Sequence, residues 1–105
     1  MGTSEQSPAG VEPVTGSFTA TGQSGSFVPE AGRDFNISVW GTFVGTVGVE
    51  RSMDRGTTWL PKWPDEIFQI SEPRSFSDAE PEAAIMYRLN CTDMTSGTIN
   101  YRVSQ

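Results

Sequence analysis

From residue 16 onward, apolar and polar residues alternate in short segments separated by glycine, proline, asparagine or aspartate. A period of two is typical of β-strands that bury one face, and the separating residues favour turns. No segment carries an apolar stripe with the 3.6-residue period of an amphipathic helix. The pattern therefore predicts an all-β domain over residues 16–105, a single β-sandwich of jelly-roll or immunoglobulin-like type with about seven to eight short strands.

The clearest strand pattern covers residues 35–43. Asn36, Ser38 and Thr42 alternate with apolar positions, and Trp40 falls on the polar side. Because a lone exposed tryptophan is uncommon, we expect a second layer to cover Trp40, the alternative being a partner. The apolar face of this predicted strand consists of Phe35, Ile37, Val39 and Phe43.

The end of the chain predicts a hairpin. Apolar residues alternate over 85–91 and again over 99–103, and a turn-rich segment lies at 93–97. We expect both runs to place their apolar side chains on one face of a sheet. A pairing of Leu89 with Tyr101 is one register for this hairpin, and a register shifted by two residues is the alternative.

The first of these registers places Arg88 opposite Arg102. Like charges directly opposite each other destabilise a sheet unless a carboxylate lies between them. We therefore expect an acidic neighbour for the two arginines, from Glu50, from residues 78–82 or from another subunit.

Residues 52–59 read Ser-Met-Asp-Arg-Gly-Thr-Thr-Trp, which matches the Asp-box pattern and resembles the repeated corner of sialidase-type propellers. The pattern predicts a hairpin turn in which the aspartate bonds to its own backbone, the glycine adopts a positive φ and the tryptophan packs against the sheet. A single copy cannot build a propeller, which needs at least about four blades. The motif therefore predicts a structural corner formed by Ser52, Asp54, Gly56, Thr58 and Trp59.

Residues 72–81 predict an irregular acidic stretch. Asp78, Glu80 and Glu82 occupy alternate positions that could offer oxygen ligands to calcium, but the glycine and Asp/Asn pattern of a calcium loop is missing. A solvated acidic loop is the favoured interpretation. A paired-carboxylate glycosidase is the one enzyme class worth testing, and since the acidic residues fall in loops, the sequence predicts no enzymatic activity.

Composition excludes several chemistries. The chain has one cysteine and no histidine, so an intrachain disulfide, the usual zinc sites and histidine-based triads are ruled out, and no cofactor is expected. Seven Lys and Arg residues against 13 Asp and Glu residues give a net charge of -6, which disfavours nucleic-acid and anionic-membrane partners. Cys91 is expected to be a buried small hydrophobic residue.

Residues 1–15 predict an extended N-terminal arm, because they are rich in Gly, Ser, Pro and Glu and contain few apolar side chains. A neighbouring subunit is the expected partner of this arm. The start of the chain lacks the features of a signal peptide, which predicts synthesis in a cytoplasm. The candidate partner contacts over the whole chain are Val11, Pro13, Val14, Trp63, Arg88 and Arg102.

The chain from Phe35 to Arg102 contains Phe-Asn-Ile-Ser-Val-Trp-Gly-Thr-Phe, Glu-Arg-Ser-Met-Asp-Arg-Gly-Thr-Thr-Trp, Tyr-Arg-Leu-Asn-Cys-Thr and Thr-Ser-Gly-Thr-Ile-Asn-Tyr-Arg. This stretch resembles small proteins encoded in structural modules of tailed phages and prophages. The resemblance implies a virion component made in the host cytoplasm, most simply a head decoration (cement) protein. Its expected partners are the major capsid protein, or another virion protein, and further copies of itself. The alternative is a tail-tip or fibre-associated β-domain that binds host glycan, through Trp63 and neighbouring aromatic residues, or another tail protein.

Overall fold

The computed structural model describes residues 12–62 and 69–105, and all regular secondary structure in these ranges is β-strand. These ranges contain nine strands, of which three have only two residues. The strands are β1 (Val14–Phe18), β2 (Gly22–Gln23), β3 (Asp34–Trp40), β4 (Phe43–Ser52), β5 (Leu60–Pro61), β6 (Gln69–Ile70), β7 (Arg74–Ala79), β8 (Met86–Gly97) and β9 (Ile99–Ser104).

The strands form two antiparallel sheets, which confirms the predicted β-sandwich. The first sheet has four strands in the order β1-β9-β3-β7. The second sheet has the order β2-β8-β4-β5, and β6 also pairs with β4. The long strands β4 and β8 form the centre of the second sheet, whereas β1 and β7 are the edges of the first.

The core lies between the sheets and is built from the alternating positions of their strands. In β3, Phe35, Ile37 and Val39 are buried, while the residues between them face outward. Phe35 of the first sheet contacts Tyr87 of the second, with 4.9 Å between ring centroids. Burial of such side chains supplies most of the stabilisation, about 1.5–3 kcal/mol for each large one. The buried apolar residues are Phe18, Phe27, Phe35, Ile37, Val39, Val47, Val49, Ile70, Ile85, Tyr87, Leu89, Cys91, Ile99, Tyr101 and Val103.

The single strand predicted over 35–43 is instead two strands in different sheets. β3 ends at Trp40, the chain turns at Gly41 with φ of 121°, and β4 begins at Phe43. A Cβ atom on Gly41 would lie 2.5 Å from the carbonyl oxygen of Thr98, so the corner requires glycine. Trp40 lies on the outer face with 47% of its surface exposed, and the prediction that a second layer covers it is wrong.

The hairpin predicted at the end of the chain is wrong. β8 pairs with β4 and β2, whereas β9 pairs with β1 and β3, so neither proposed register exists. The two strands do bury their apolar faces in one core, but they face it from opposite sheets. The chain crosses between the sheets at Gly97, where φ is 91°, and the N–H of Thr98 donates to the carbonyl of Thr42 at 3.1 Å.

Arg88 and Arg102 are consequently not opposite each other. Arg88 in β8 lies opposite Glu50 in β4, and Arg88 Nε is 2.7 Å from Glu50 Oε1. Arg102 in β9 lies between Thr15 and Ser38 in the first sheet. The acidic neighbour predicted for Arg88 is thus confirmed as Glu50, and the arginine pair itself is not formed.

The acidic stretch at 72–81 is more ordered than predicted. Residues 74–79 form β7, which pairs with β3 and directs Phe76 towards the core. Glu80 follows and is fully buried. The prediction of an irregular, solvated segment is wrong here. Phe76 is the one large apolar residue of this strand, so the sequence shows no alternating apolar pattern.

At the start of the described chain, β1 begins at Val14, which pairs with Val103 and packs against the core. Val14 and Thr15, both assigned to the arm, are therefore part of the first sheet. Pro13 is exposed just before β1. The rest of the predicted arm up to Val11 lies outside the described residues.

Candidate functional site

The octapeptide at 52–59 forms the predicted hairpin turn between β4 and β5. The buried Ser52 Oγ accepts the N–H of Gly56 at 2.8 Å and donates to Asp54 Oδ1 at 2.8 Å. Asp54 Oδ1 also accepts the N–H of Thr58 at 2.7 Å. This last bond is the main reason that the pKa of Asp54 lies below its usual value. The predicted bonding of Asp54 to its own turn is confirmed.

Two consecutive residues of this turn have positive φ, Arg55 at 60° and Gly56 at 92°. Trp59 Nε1 donates to the carbonyl of Gly56 at 3.0 Å, which closes the turn. The indole also stacks under the guanidinium of Arg88, 4.2 Å from the ring centroid. Trp59 therefore packs on the outer face of the second sheet, as predicted.

Arg88 links this stack to a row of polar side chains across the second sheet. Its partner Glu50 accepts a second bond, from Asn90 Nδ2 at 3.0 Å. Asn90 Oδ1 in turn accepts from Gln23 Nε2 at 3.1 Å. Arg88, a predicted partner contact, is thus already paired within the chain, and its role here is to hold the hairpin against the sheet.

The hairpin exposes two large apolar side chains. Met53 is 56% exposed at the start of the turn, and Leu60 is 46% exposed where β5 begins. We call Met53 and Leu60 the hairpin patch. Exposed apolar side chains on a fixed backbone can serve as binding anchors, because little conformational entropy is lost on binding.

A buried charge network lies between β4, the end of β7 and β8. The fully buried Glu80 accepts from Arg51 Nε at 2.6 Å and Arg51 Nη2 at 2.8 Å. It also accepts the hydroxyl of Tyr87 at 2.7 Å and the N–H of Glu82 at 3.0 Å. A buried carboxylate is stable only when it is paired in this way.

These contacts determine the protonation state of Glu80. The hydrogen bonds from Arg51 are the main cause that lowers the pKa of Glu80 to about 2, and the same bonds raise the pKa of Arg51. Burial raises the pKa of Tyr87. Glu80 is therefore ionised and Tyr87 neutral at pH 7, so neither group exchanges a proton with a substrate near neutrality.

Lys62 and Asp78 extend this network. Lys62 Nζ donates to the Tyr87 hydroxyl at 2.8 Å and lies 3.4 Å from Asp78 Oδ2. Asp78 Oδ2 is buried and accepts no hydrogen bond of good geometry from the described residues, so the Lys62 contact is a charge contact. Within residues 12–62 and 69–105, no three acidic or cysteine side chains are arranged to hold a metal ion.

The outer face of the first sheet has a different character. The strand registers place its side chains in four rows, of which the last holds Asp34 and Ala79. We call the other three rows the serine-rich face. Its one charged side chain is Arg102, in the middle row, and its one aromatic side chain is Trp40, at the end of β3. The members of the face are Thr15, Ser17, Asn36, Ser38, Trp40, Ser75, Ser77, Asn100, Arg102 and Ser104.

Sequence reasoning missed two of these features. It assigned Glu80 to a solvated loop, because the spacing of seven residues between Glu80 and Tyr87 gives no sign in the sequence that the two side chains are in contact. It also missed the serine-rich face, which becomes visible only when β1, β3, β7 and β9 are known to share a sheet. Of the predicted partner contacts, Arg102 lies on this face, whereas Trp63 lies outside the described residues.

Comparison of the chain with protein-family models, curated proteins and solved structures gave no match. In the described part of the chain, no helix has the length and apolar character needed to cross a membrane.

Proposed function

We propose that this chain is a non-enzymatic structural protein of a tailed-phage virion, a capsid decoration protein that stabilises the head. It is made in the host cytoplasm and binds the major capsid protein on the outside of the shell as a small homo-oligomer. It uses no cofactor and contacts neither nucleic acid nor membrane. The proposal rests on the sequence resemblance from Phe35 to Arg102 together with the surfaces of the sandwich.

The hairpin patch is the observation that carries the proposal. Met53 and Leu60 project from a turn that Ser52 and Asp54 hold by short hydrogen bonds. The Trp59 stack fixes the same turn to the second sheet. A rigid apolar tip is suited to a pocket on a shell subunit, where such anchors supply most of the binding energy.

The charge network supports a structural role. Its carboxylate Glu80 is enclosed and stays ionised at neutral pH, bonded to Arg51 and Tyr87. A general acid would need a pKa near the working pH and access to substrate. In a decoration protein the same network has a simple use, since it ties the end of β7 to the second sheet.

Charge favours a place outside the shell. A net charge of -6 repels the phosphates of packaged DNA, so this subunit gains nothing from contact with the genome. On the outer surface, each subunit that bridges two capsomers adds contacts that must break before the shell expands. A layer of such subunits therefore resists the internal pressure of the packaged genome.

Copy number tests this proposal. Virions should be purified and the protein quantified by mass spectrometry, with peptides of the major capsid protein as internal standard. A decoration protein is expected at a constant ratio to the capsid protein, with hundreds of copies in each particle. Absence from particles would overturn the virion assignment, and a few to a few dozen copies would favour the alternative of a tail-tip or fibre domain.

The hairpin patch has its own test. Particles lacking the protein should be mixed with the purified wild-type chain or with the double variant Met53→Ser, Leu60→Ser. We expect the double variant to bind at least about tenfold more weakly, because two apolar anchors are lost. Val44→Ser is the control, since Val44 is 59% exposed but lies at the other end of β4. Equal binding of the double variant and wild type would exclude the hairpin patch as the contact.

A further inference from the structure

The serine-rich face combines properties that are unusual for the outside of a sheet. Strands favour β-branched and aromatic residues, yet serine and asparagine supply seven of the ten side chains of this face. Its three rows contain no carboxylate, although the chain has 13 acidic residues. The nearest acid along β3 is Asp34, two rows from Arg102. The small side chains leave a flat surface that an extended ligand can approach closely.

Trp40 is the one large group that stands on this surface. It lies opposite Asn100 in β9, and nearly half of its surface is exposed. Its row neighbours across the sheet, Asn100 and Ser17, are both small. An exposed indole beside small polar groups matches a sugar ring, which presents an apolar C–H face bordered by hydroxyls.

The hydroxyl and amide groups around Trp40 fit the same ligand class. Serine and threonine hydroxyls both donate and accept hydrogen bonds, and asparagine offers both functions on one side chain. Sugar hydroxyls have this dual character as well. Ser38 Oγ and Ser75 Oγ already pair at 2.8 Å across β3 and β7, so these groups are within reach of each other and of one bound chain.

Arg102 adds a preference for charge. It is exposed in the middle row between Thr15 and Ser38, and within the described ranges its guanidinium has no carboxylate partner and donates one bond, to Ser104 Oγ at 3.1 Å. Arg102 lies two residues along β9 from Asn100, about 7 Å away. Neighbouring units of one glycan chain can span this separation.

We infer that the serine-rich face binds an acidic glycan, with one sugar ring stacked on Trp40 and the carboxylate of a nearby sugar on Arg102. The inference does not depend on where the protein lies in a virion. It concerns the first sheet, whereas the proposed shell contact uses the hairpin of the second sheet.

Nuclear magnetic resonance titration of the labelled chain tests the inference. The probes are oligogalacturonate and a cello-oligosaccharide of the same length, which differ in the carboxylates. We expect changes in amide chemical shift that are confined to the first sheet. We also expect about fivefold tighter binding of oligogalacturonate, which corresponds to the binding free energy of one exposed ion pair. Arg102→Gln should remove this preference, and Trp40→Ala should abolish binding of both probes.

Arg33→Gln is the matched control, because Arg33 is also exposed but is paired with Glu30 at 3.2 Å. It should leave the preference unchanged, and amide spectra of all variants verify that they are folded. Absence of shifts with both probes at about 10 mM would overturn the inference. So would a preference that survives Arg102→Gln. A dimer in sedimentation that Trp40→Ala dissociates would show that a second copy covers the face, and would also overturn it. None of these outcomes alters the copy number in virions, so the two proposals fail separately.

Discussion

Replacement of Glu80 by glutamine should lower the free energy of unfolding at pH 7 by about 3 kcal/mol. The pKa of this carboxyl falls from 4.5 in the unfolded chain to about 2 in the folded protein. Each tenfold change in proton affinity corresponds to about 1.4 kcal/mol, so the fall of the pKa from 4.5 to about 2 corresponds to about 3.5 kcal/mol, of which glutamine keeps a small part through its hydrogen bonds. The expected loss agrees with the measured cost of breaking a buried ion pair, about 3–5 kcal/mol.

The sign of the pH dependence follows from the lowered pKa. The contribution of Glu80 is complete above its unfolded pKa of 4.5 and is lost as the pH falls towards about 2. The wild-type protein should therefore lose about 3 kcal/mol more than Glu80→Gln between pH 5 and pH 2. Asp54 also has a lowered pKa, but it acts equally in both proteins and cancels in the difference.

Urea denaturation followed by tryptophan fluorescence at several pH values measures both effects. Glu82→Gln is the control: Glu82 lies 3.7 Å from Arg51, but its side chain is 65% exposed, so the loss should stay below about 1 kcal/mol. A Glu80→Gln protein within about 0.5 kcal/mol of wild type would refute the reasoning. A difference that stays constant from pH 7 to pH 2 would also refute it.

Three further predictions concern the turn, the corner and the thiol. Ser52→Ala should cost about 1–3 kcal/mol of stability, measured by urea denaturation, because the buried Ser52 hydroxyl makes two hydrogen bonds, from the N–H of Gly56 and to Asp54 Oδ1, and each contributes about 0.5–1.5 kcal/mol. The exposed Thr57→Ala should cost far less. Gly97→Ala should lower the melting temperature much more than Gly32→Ala. Both glycines have positive φ, but only at Gly97 would a Cβ atom clash with backbone, that of Thr42 and Phe43 at the corner between β3 and β4. Equal melting temperatures would contradict the packing of the two corners. Burial raises the pKa of Cys91, so native protein at pH 7.5 should react with iodoacetamide at least about a hundredfold more slowly than unfolded protein, as mass spectrometry would show.

The sequence predicted which residues face the core but not which strands pair. Ile85, Leu89, Ile99 and Val103 are all buried as their alternation requires. Alternation shows only which side chains face the core. β8 and β9 can bury the same side chains either as a hairpin in one sheet or as members of opposite sheets. The choice depends on Gly97, whose positive φ and close backbone contact direct the chain across the sandwich.

The octapeptide was predictable because all its contacts are local. Ser52, Asp54 and Thr58 bond within a span of seven residues, and a short-range motif specifies them directly. Glu80 was not predictable because its partner Arg51 is 29 residues away and joins it only after the sheets assemble. A buried carboxylate and a solvated one look identical in a sequence until the partner is known.

The arginines of the two sheets differ in how their charges are paired. On the second sheet, Arg88 pairs with Glu50 and Arg51 pairs with Glu80, and these pairs fix the hairpin and the end of β7. On the first sheet, Arg102 has no such carboxylate partner in the described chain. A guanidinium that is paired internally is not available to a ligand, whereas that of Arg102 is. The position of Arg102 beside an exposed Trp40 is therefore better explained by a ligand than by stability, since neither side chain adds to the core.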